Sequence, residues 1–178
     1  MRFSPRFLGI CVTAMGAAMV AAALLFQHIG GLSPCILCIY QRWPWVVAAM
    51  LGLVAIAVAR PAGVSTLALW LAAAALLTGA GIAAFHVGVE QQWWAGTAEC
   101  GAAGGRAKSI DELREQLMAT KVTRCDEVAW SLAGISMAGW NMLLSLAMAA
   151  FLAWSLAQQR RRATVSYTHL RAHETRSY

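Results

Sequence analysis

Four apolar stretches, each long enough to cross the hydrocarbon core of a bilayer, constrain this chain more than any other feature. They run at about 7–26, 39–59, 64–86 and 132–156, and a spanning helix needs roughly 20 such residues. Backbone polar groups in lipid must pair within their own segment, so the sequence predicts an all-α membrane protein, a four-transmembrane-helix bundle embedded in a lipid bilayer. Composition agrees: 60% of the 178 residues are hydrophobic and 12% charged, far from the balance of a soluble domain. Residues 1–164 are expected to form one membrane domain, with outer loops at about 27–38 and 88–130. The polar tail 165–178 has no apolar periodicity; it is expected to be disordered or foreign to the native chain.

Arg2 and Arg6 before the first stretch resemble a secretory signal, but the apolar run is longer than a signal core. It ends in Phe26-Gln27-His28 rather than a small-residue cleavage pattern, so a retained helix is expected. The net charge of +6 does not imply nucleic acid, because the basic residues form no surface that could track phosphates. They mark topology instead. Arg60 follows the second stretch and Arg160, Arg161 and Arg162 follow the fourth, whereas the loop from His28 to Leu37 has no Lys or Arg. The positive-inside rule then places both termini and the Arg60 turn in the cytoplasm.

Thr78-Gly79-Ala80-Gly81 offers small residues for close helix approach. Trp43, Trp45, Trp93, Trp94 and Trp130 are expected at the outer interface, Trp70 and Trp154 at the inner one. In the long loop, Gly101–Gly105 suits a segment that moves. Ser109 and Glu112 have capping-box spacing, and Ile110, Leu113 and Leu117 follow at helical spacing. A short amphipathic helix over 109–119 is therefore predicted, lying on the membrane surface or against a partner protein. With five basic and seven acidic residues, the loop carries a charge of −2.

Four of the five cysteines, Cys35, Cys38, Cys100 and Cys125, fall in or at the edge of the outer loops. Cys11, inside the first stretch, is expected to be a buried apolar filler. Ser33 is a good N-cap and Pro34 suits the first helical position, which places Cys35-Ile36-Leu37-Cys38 in the first turn of the second helix. At i and i+3 the two sulfurs share a face and can form a tight disulfide, and the helix N-terminus favours a thiolate. Arg42 continues that face; a charge there calls for a function, with snorkelling to the head groups as the alternative. A zinc site is disfavoured, since neither a second Cys-x-x-Cys nor a His pair completes it. A bridge between Cys100 and Cys125 would close a loop of about 26 residues, worth roughly 3 kcal/mol as a staple. Beside a reactive pair on the same face, it could instead exchange with that pair. No flavin, haem or iron–sulfur motif is visible to take the electrons onward; a lipid-soluble quinone needs no nucleotide-binding fold.

Phe26-Gln27-His28, the run from Pro34 to Arg42, the stretch His86 to Trp94, Cys100, Cys125-Asp126-Glu127 and Ser136-Met137-Ala138-Gly139-Trp140-Asn141 together resemble the disulfide bond formation protein B (DsbB) family. That resemblance covers about 7–156. It implies a protein-thiol:quinone oxidoreductase of the bacterial inner membrane, its cysteine pairs facing the periplasm, that reoxidises a periplasmic DsbA-like thiol oxidase and passes electrons to ubiquinone or menaquinone. By the same resemblance Cys100 forms the mixed disulfide with the partner and Cys125 is its loop partner. Cys35 receives electrons from the loop, and Cys38 supplies the thiolate that contacts the quinone. Arg42 and His86 correspond to quinone-site residues, with a water-satisfied interface histidine as the alternative for His86. Gln41 stands where some members carry an acid, and no metal is implied. If the charge pattern sets the orientation, a reporter fused after Arg162 will be cytoplasmic and one inserted at Gly104 periplasmic; the reverse pattern would remove the basis for an oxidising compartment.

Overall fold

The computed structural model describes residues 3–58, 62–97, 100, 109–111 and 124–174, the backbone alone at 62 and 160–174. Ser4 starts the first helix, α1 (Pro5–His28): its hydroxyl accepts the Phe7 N–H at 3.2 Å. Pro5 takes a position whose missing N–H would have had no partner anyway. The second span is in two pieces, α2 (Ile36–Tyr40) and α3 (Arg42–Ala57). Pro44 accounts for the interruption, because it has no N–H to give the Tyr40 carbonyl and its ring crowds that carbonyl. Gln41 at the joint keeps near-helical angles, φ −69° and ψ −17°, so 36–57 still reads as one span.

The third span is α4 (Ala62–Glu90). A small antiparallel hairpin follows the long loop, with β1 (Ser131–Leu132) paired to β2 (Ile135–Ser136) in the register Ser131 to Ser136. Ala133 and Gly134 turn it with φ of 52° and 77°, the left-handed pair that tight hairpins require. The last helix, α5 (Met137–Glu174), therefore begins five residues later than the stretch expected from 132. At its other end the backbone stays helical to Glu174, where 165–178 was expected to lack regular structure; no Pro or Gly interrupts 157–174, so nothing there ends a helix. Residues 175–178, the Arg60 turn, Gly101–Gly105 and 112–119 of the expected amphipathic helix lie outside the described residues. Ile110 and Asp111 are helical.

Among the described residues four helices are thus long and apolar enough to span a membrane, and the chain is a helical membrane protein as expected. α3 packs between α1 and α4, and α4 packs against α5. Leu8, Val12, Trp45, Ala48, Leu69, Leu76, Leu152 and Leu156 form the shared core. Ile10, Leu25, Met50, Leu67 and Leu77 point outward, a distribution suited to lipid rather than water. Trp45 departs from the interfacial belt expected for it: it is 2% exposed, inside the core. Trp43, Trp93 and Trp154 are exposed.

Close approach depends on glycine at two crossings. A Cβ on Gly52 would lie 2.6 Å from Val12 Cγ1 and 2.9 Å from the Gly9 carbonyl oxygen of α1, and one on Gly79 would lie 2.8 Å from Pro44 Cβ. Gly81, its neighbour in the small-residue run, meets nothing. Gly52→Ala should therefore destabilise the bundle by roughly 1–3 kcal/mol through overpacking, while Gly81→Ala should be neutral or mildly stabilising. Thermal unfolding of the two variants in detergent checks the contrast; equal midpoints would remove the claim of close helix approach at Gly52.

Candidate functional site

The second helix starts at Ile36, and Cys35 itself is its N-cap, one residue beyond Pro34 and two beyond the expected cap, Ser33. Its backbone is extended, φ −73° and ψ 168°, and its sulfur accepts the Cys38 N–H at 3.2 Å. The cysteine thus replaces the usual hydroxyl or carboxylate cap, and the N–H favours negative charge on Cys35 Sγ. The Cys35 and Cys38 sulfurs are 2.7 Å apart, roughly 0.7 Å from the bonded distance of about 2.05 Å. Forming the bond requires almost no backbone movement.

His86, 3% exposed near the end of α4, lies directly beneath this pair. Its Nε2 is 3.6 Å from Cys35 Sγ and 4.0 Å from Glu90 Oε1, and its Nδ1 is 2.7 Å from Gln41 Nε2. Glu90 is itself buried and accepts the Ser136 hydroxyl. Arg42 donates to Gln27 Oε1 of α1 at 2.7 Å, so its guanidinium is held inside the bundle. Asn141 of α5 donates to Gln41 and accepts from Trp45 Nε1. Sequence reasoning singled out Arg42 and His86 but gave no role to Gln27, Gln41, Glu90 or Asn141. The available signal was their polarity within or beside apolar stretches, where polar side chains face the bundle interior.

A cavity of about 230 Å³ adjoins this cluster. Met19, Phe26, Trp130 and Leu144 are among its apolar walls; Cys35, Cys38, Arg42, His86 and Glu90 form its polar corner. Such a shape, mostly apolar with a few convergent polar groups, suits a small amphiphilic molecule.

Cys100 and Cys125 form a disulfide with Cα atoms 5.3 Å apart. Cys125 is buried in one cluster with Cys35, Leu37 and Val89, against which Cys38 and Cys100 also pack. The four cysteines are thereby gathered at one end of the bundle, while Cys11 is a partly buried thiol in α1 outside that cluster. The Cys125 backbone also interacts with the His86 ring. Beside it, Arg124 donates to both carboxylate oxygens of Asp126 at 2.9 and 2.6 Å, which holds the Asp126 carboxyl below its ordinary range. Thr97 donates to Cys100 Sγ at 3.4 Å.

Cys35, Cys38 and His86 also place three possible metal-ligand atoms within 4.8 Å of one another, a grouping the sequence did not suggest. Bonds of about 2.3 Å to a tetrahedral ion would hold two sulfurs roughly 3.7 Å apart. At 2.7 Å the pair is arranged for sulfur–sulfur chemistry instead.

Two cysteine pairs packed together at one end of a four-span bundle define a multi-pass membrane protein equipped for thiol–disulfide chemistry. The chain matches the family model for Disulfide bond formation protein DsbB over residues 5–155, and it belongs to that family. It is 30% identical over 164 residues to the Disulfide bond formation protein B of Stutzerimonas stutzeri (strain A1501), covering 88% of this chain and 97% of that one. To the protein of the same description from Methylococcus capsulatus (strain Bath) it is 37% identical over 139 residues, 76% of this chain and 84% of that one. It is accordingly a membrane oxidoreductase of disulfide bond formation.

In a variant with Cys100→Ser and Cys125→Ser, a mild oxidant should close Cys35 and Cys38 into a disulfide without aggregation. Alkylation under denaturing conditions followed by mass measurement should then find one reactive thiol, Cys11. Three labelled thiols would show that the pair does not close.

Proposed function

We propose that this chain is an inner-membrane protein-thiol:quinone oxidoreductase that reoxidises a periplasmic DsbA-like dithiol. The observation that carries the reading is the shared placement of both cysteine pairs beside an apolar cavity whose polar corner holds Arg42 and His86. In this reading the partner's dithiol reduces the Cys100–Cys125 disulfide through a mixed disulfide at Cys100, and the partner leaves oxidised. The Cys125 thiolate then attacks Cys35 Sγ, breaking the Cys35–Cys38 bond; the Cys100 thiolate attacks Cys125 Sγ of that mixed disulfide, displacing Cys35 as a thiolate and restoring the loop disulfide. Two electrons and two protons move at each stage, and the Cys35/Cys38 dithiol holds them last.

A quinone, when bound, supplies an acceptor for those two electrons and two protons. The cavity fits such a molecule, because its walls are apolar and its polar corner offers an Arg42 donor and the His86 ring beside Cys38. Arg42 would hold the polar head: Gln27 restrains its guanidinium, and the planar fork gives directed donors that a Lys ammonium lacks. Stabilising developing negative charge in a water-poor site is where such a group acts most strongly.

The test is steady-state oxidation of a reduced DsbA-like protein by the purified enzyme at varied ubiquinone concentration. Quinone loss should match partner disulfide formed, mole for mole. Arg42→Ala should weaken quinone use about ten- to a hundredfold, the loss of one charge-assisted hydrogen bond of roughly 1.5–3 kcal/mol, with Arg42→Lys impaired less. Absence of quinone reduction by the intact protein would overturn the reading. Unchanged quinone use by a normally inserted Arg42→Ala protein would remove Arg42 from the acceptor site.

A further inference from the structure

We infer that Gln41 and Asn141 fix the tautomer of His86, so that its Nε2–H is directed at Cys35 Sγ. This rests on the redox reading above only for its consequence, not for its geometry. Four buried side chains from separate parts of the fold form one continuous hydrogen-bonded chain. It begins at Trp45, whose indole nitrogen can only donate. Trp45 Nε1 lies 2.7 Å from Asn141 Oδ1, which fixes the orientation of the Asn141 amide. Asn141 Nδ2 then donates to Gln41 Oε1 at 2.7 Å, which fixes the Gln41 amide in turn. Gln41 Nε2 faces His86 Nδ1 at 2.7 Å.

An amide nitrogen donates and cannot accept. His86 Nδ1 must therefore present its lone pair, and the neutral ring carries its proton on Nε2. Near that nitrogen stand two side chains able to accept, Cys35 Sγ at 3.6 Å and Glu90 Oε1 at 4.0 Å, and the Cys125 backbone also meets the ring. Every member of the chain is buried, and at 2.7 Å each contact is direct, with no room for a water between the partners. Ring tautomers are set by the partner of the other nitrogen, and here that partner is itself set two residues further back.

The consequence concerns the moment at which Cys35 leaves a disulfide as a thiolate. The Nε2–H is then directed at that sulfur, whereas the opposite tautomer would direct a lone pair at it. His86 meets the reacting sulfur; Gln41 and Asn141 are positioning residues. Replacing Gln41 by Glu keeps the shape and the acceptor for Asn141 but abolishes the donor to Nδ1. Gln41→Glu should then draw a proton onto Nδ1.

The experiment is two-bond proton–nitrogen correlation of reduced protein carrying 15N-histidine, in detergent, with the His86 signals assigned by their loss in His86→Gln. The unaltered protein should show Nδ1 at its lone-pair position and Nε2 at its N–H position. Gln41→Glu should move Nδ1 to the N–H position, and Trp45→Phe, which frees the first amide, should give a mixture. A wild-type ring protonated at Nδ1 would overturn the inference, as would a Gln41→Glu spectrum identical to the wild type. The unaltered protein alone decides the first point, so a variant that fails to fold leaves the test intact. Neither quinone nor partner is used: the expected tautomer with no quinone turnover would sink the redox reading alone, and turnover with the opposite tautomer would sink this inference alone.

Discussion

The hydrogen bond from Trp45 Nε1 to the Asn141 amide oxygen joins α3 to α5 across 96 positions of sequence. Both partners are sealed in the bundle, and an amide left there without a partner costs roughly 1–3 kcal/mol. Sliding either helix would also strand Gln41, the next amide in line. The joint at which Gln41 sits exists because Pro44 cannot donate to Tyr40, and Pro44 in turn packs against Gly79 of α4. The lateral packing of three helices and the position of the cysteine pair above His86 are consequently parts of one arrangement. A membrane bundle cannot rely on apolar burial to choose its register, because lipid is as apolar as its neighbours; directional polar contacts supply that choice here.

How much of this was legible in the sequence varied with the kind of physics involved. Hydropathy found the four spans because each is a continuous apolar run, and the cysteine spacing found both pairs because sulfur is rare and its positions are informative. Ends were less visible. The fourth helix begins at Met137 rather than 132 because Ala133 and Gly134 adopt left-handed angles, and alanine gives little warning of that. Cys35 acts as the helix cap in place of Ser33, a choice between two neighbouring acceptors that only the path of the chain decides. Trp45 was misread as interfacial because tryptophan near a span end usually is; its indole hydrogen bond to Asn141 explains its burial. Glu90, Gln27 and Asn141 carried the warning of polar residues within or beside apolar stretches, but nothing in a linear sequence says which of them meet.

The loop that carries Cys100 and Cys125 returns to the bundle at a place already rich in sulfur. Cys125 shares its burial with Cys35 and Leu37, and the Arg124 clamp on Asp126 secures the chain immediately beside it. A disulfide of this kind could serve only as a staple, but a staple needs no contact with a second, nearly bonded cysteine pair. Burial beside Cys35 keeps the Cys125 end of the disulfide out of water, while its Cys100 end is only partly buried.

Cys35 is at once the acceptor that closes the first turn of α2 and a member of the close cysteine pair. Secondary structure and reactivity here draw on the same lone pairs. Negative charge on that sulfur strengthens its grip on the Cys38 N–H, whereas a covalent bond to a residue other than Cys38 would draw on the same atom and leave the turn to its backbone bonds, such as Ile39 N–H to the Cys35 carbonyl. A helix of five residues has few other bonds with which to hold its end. Chemistry at that one atom therefore bears directly on the backbone that begins the second span.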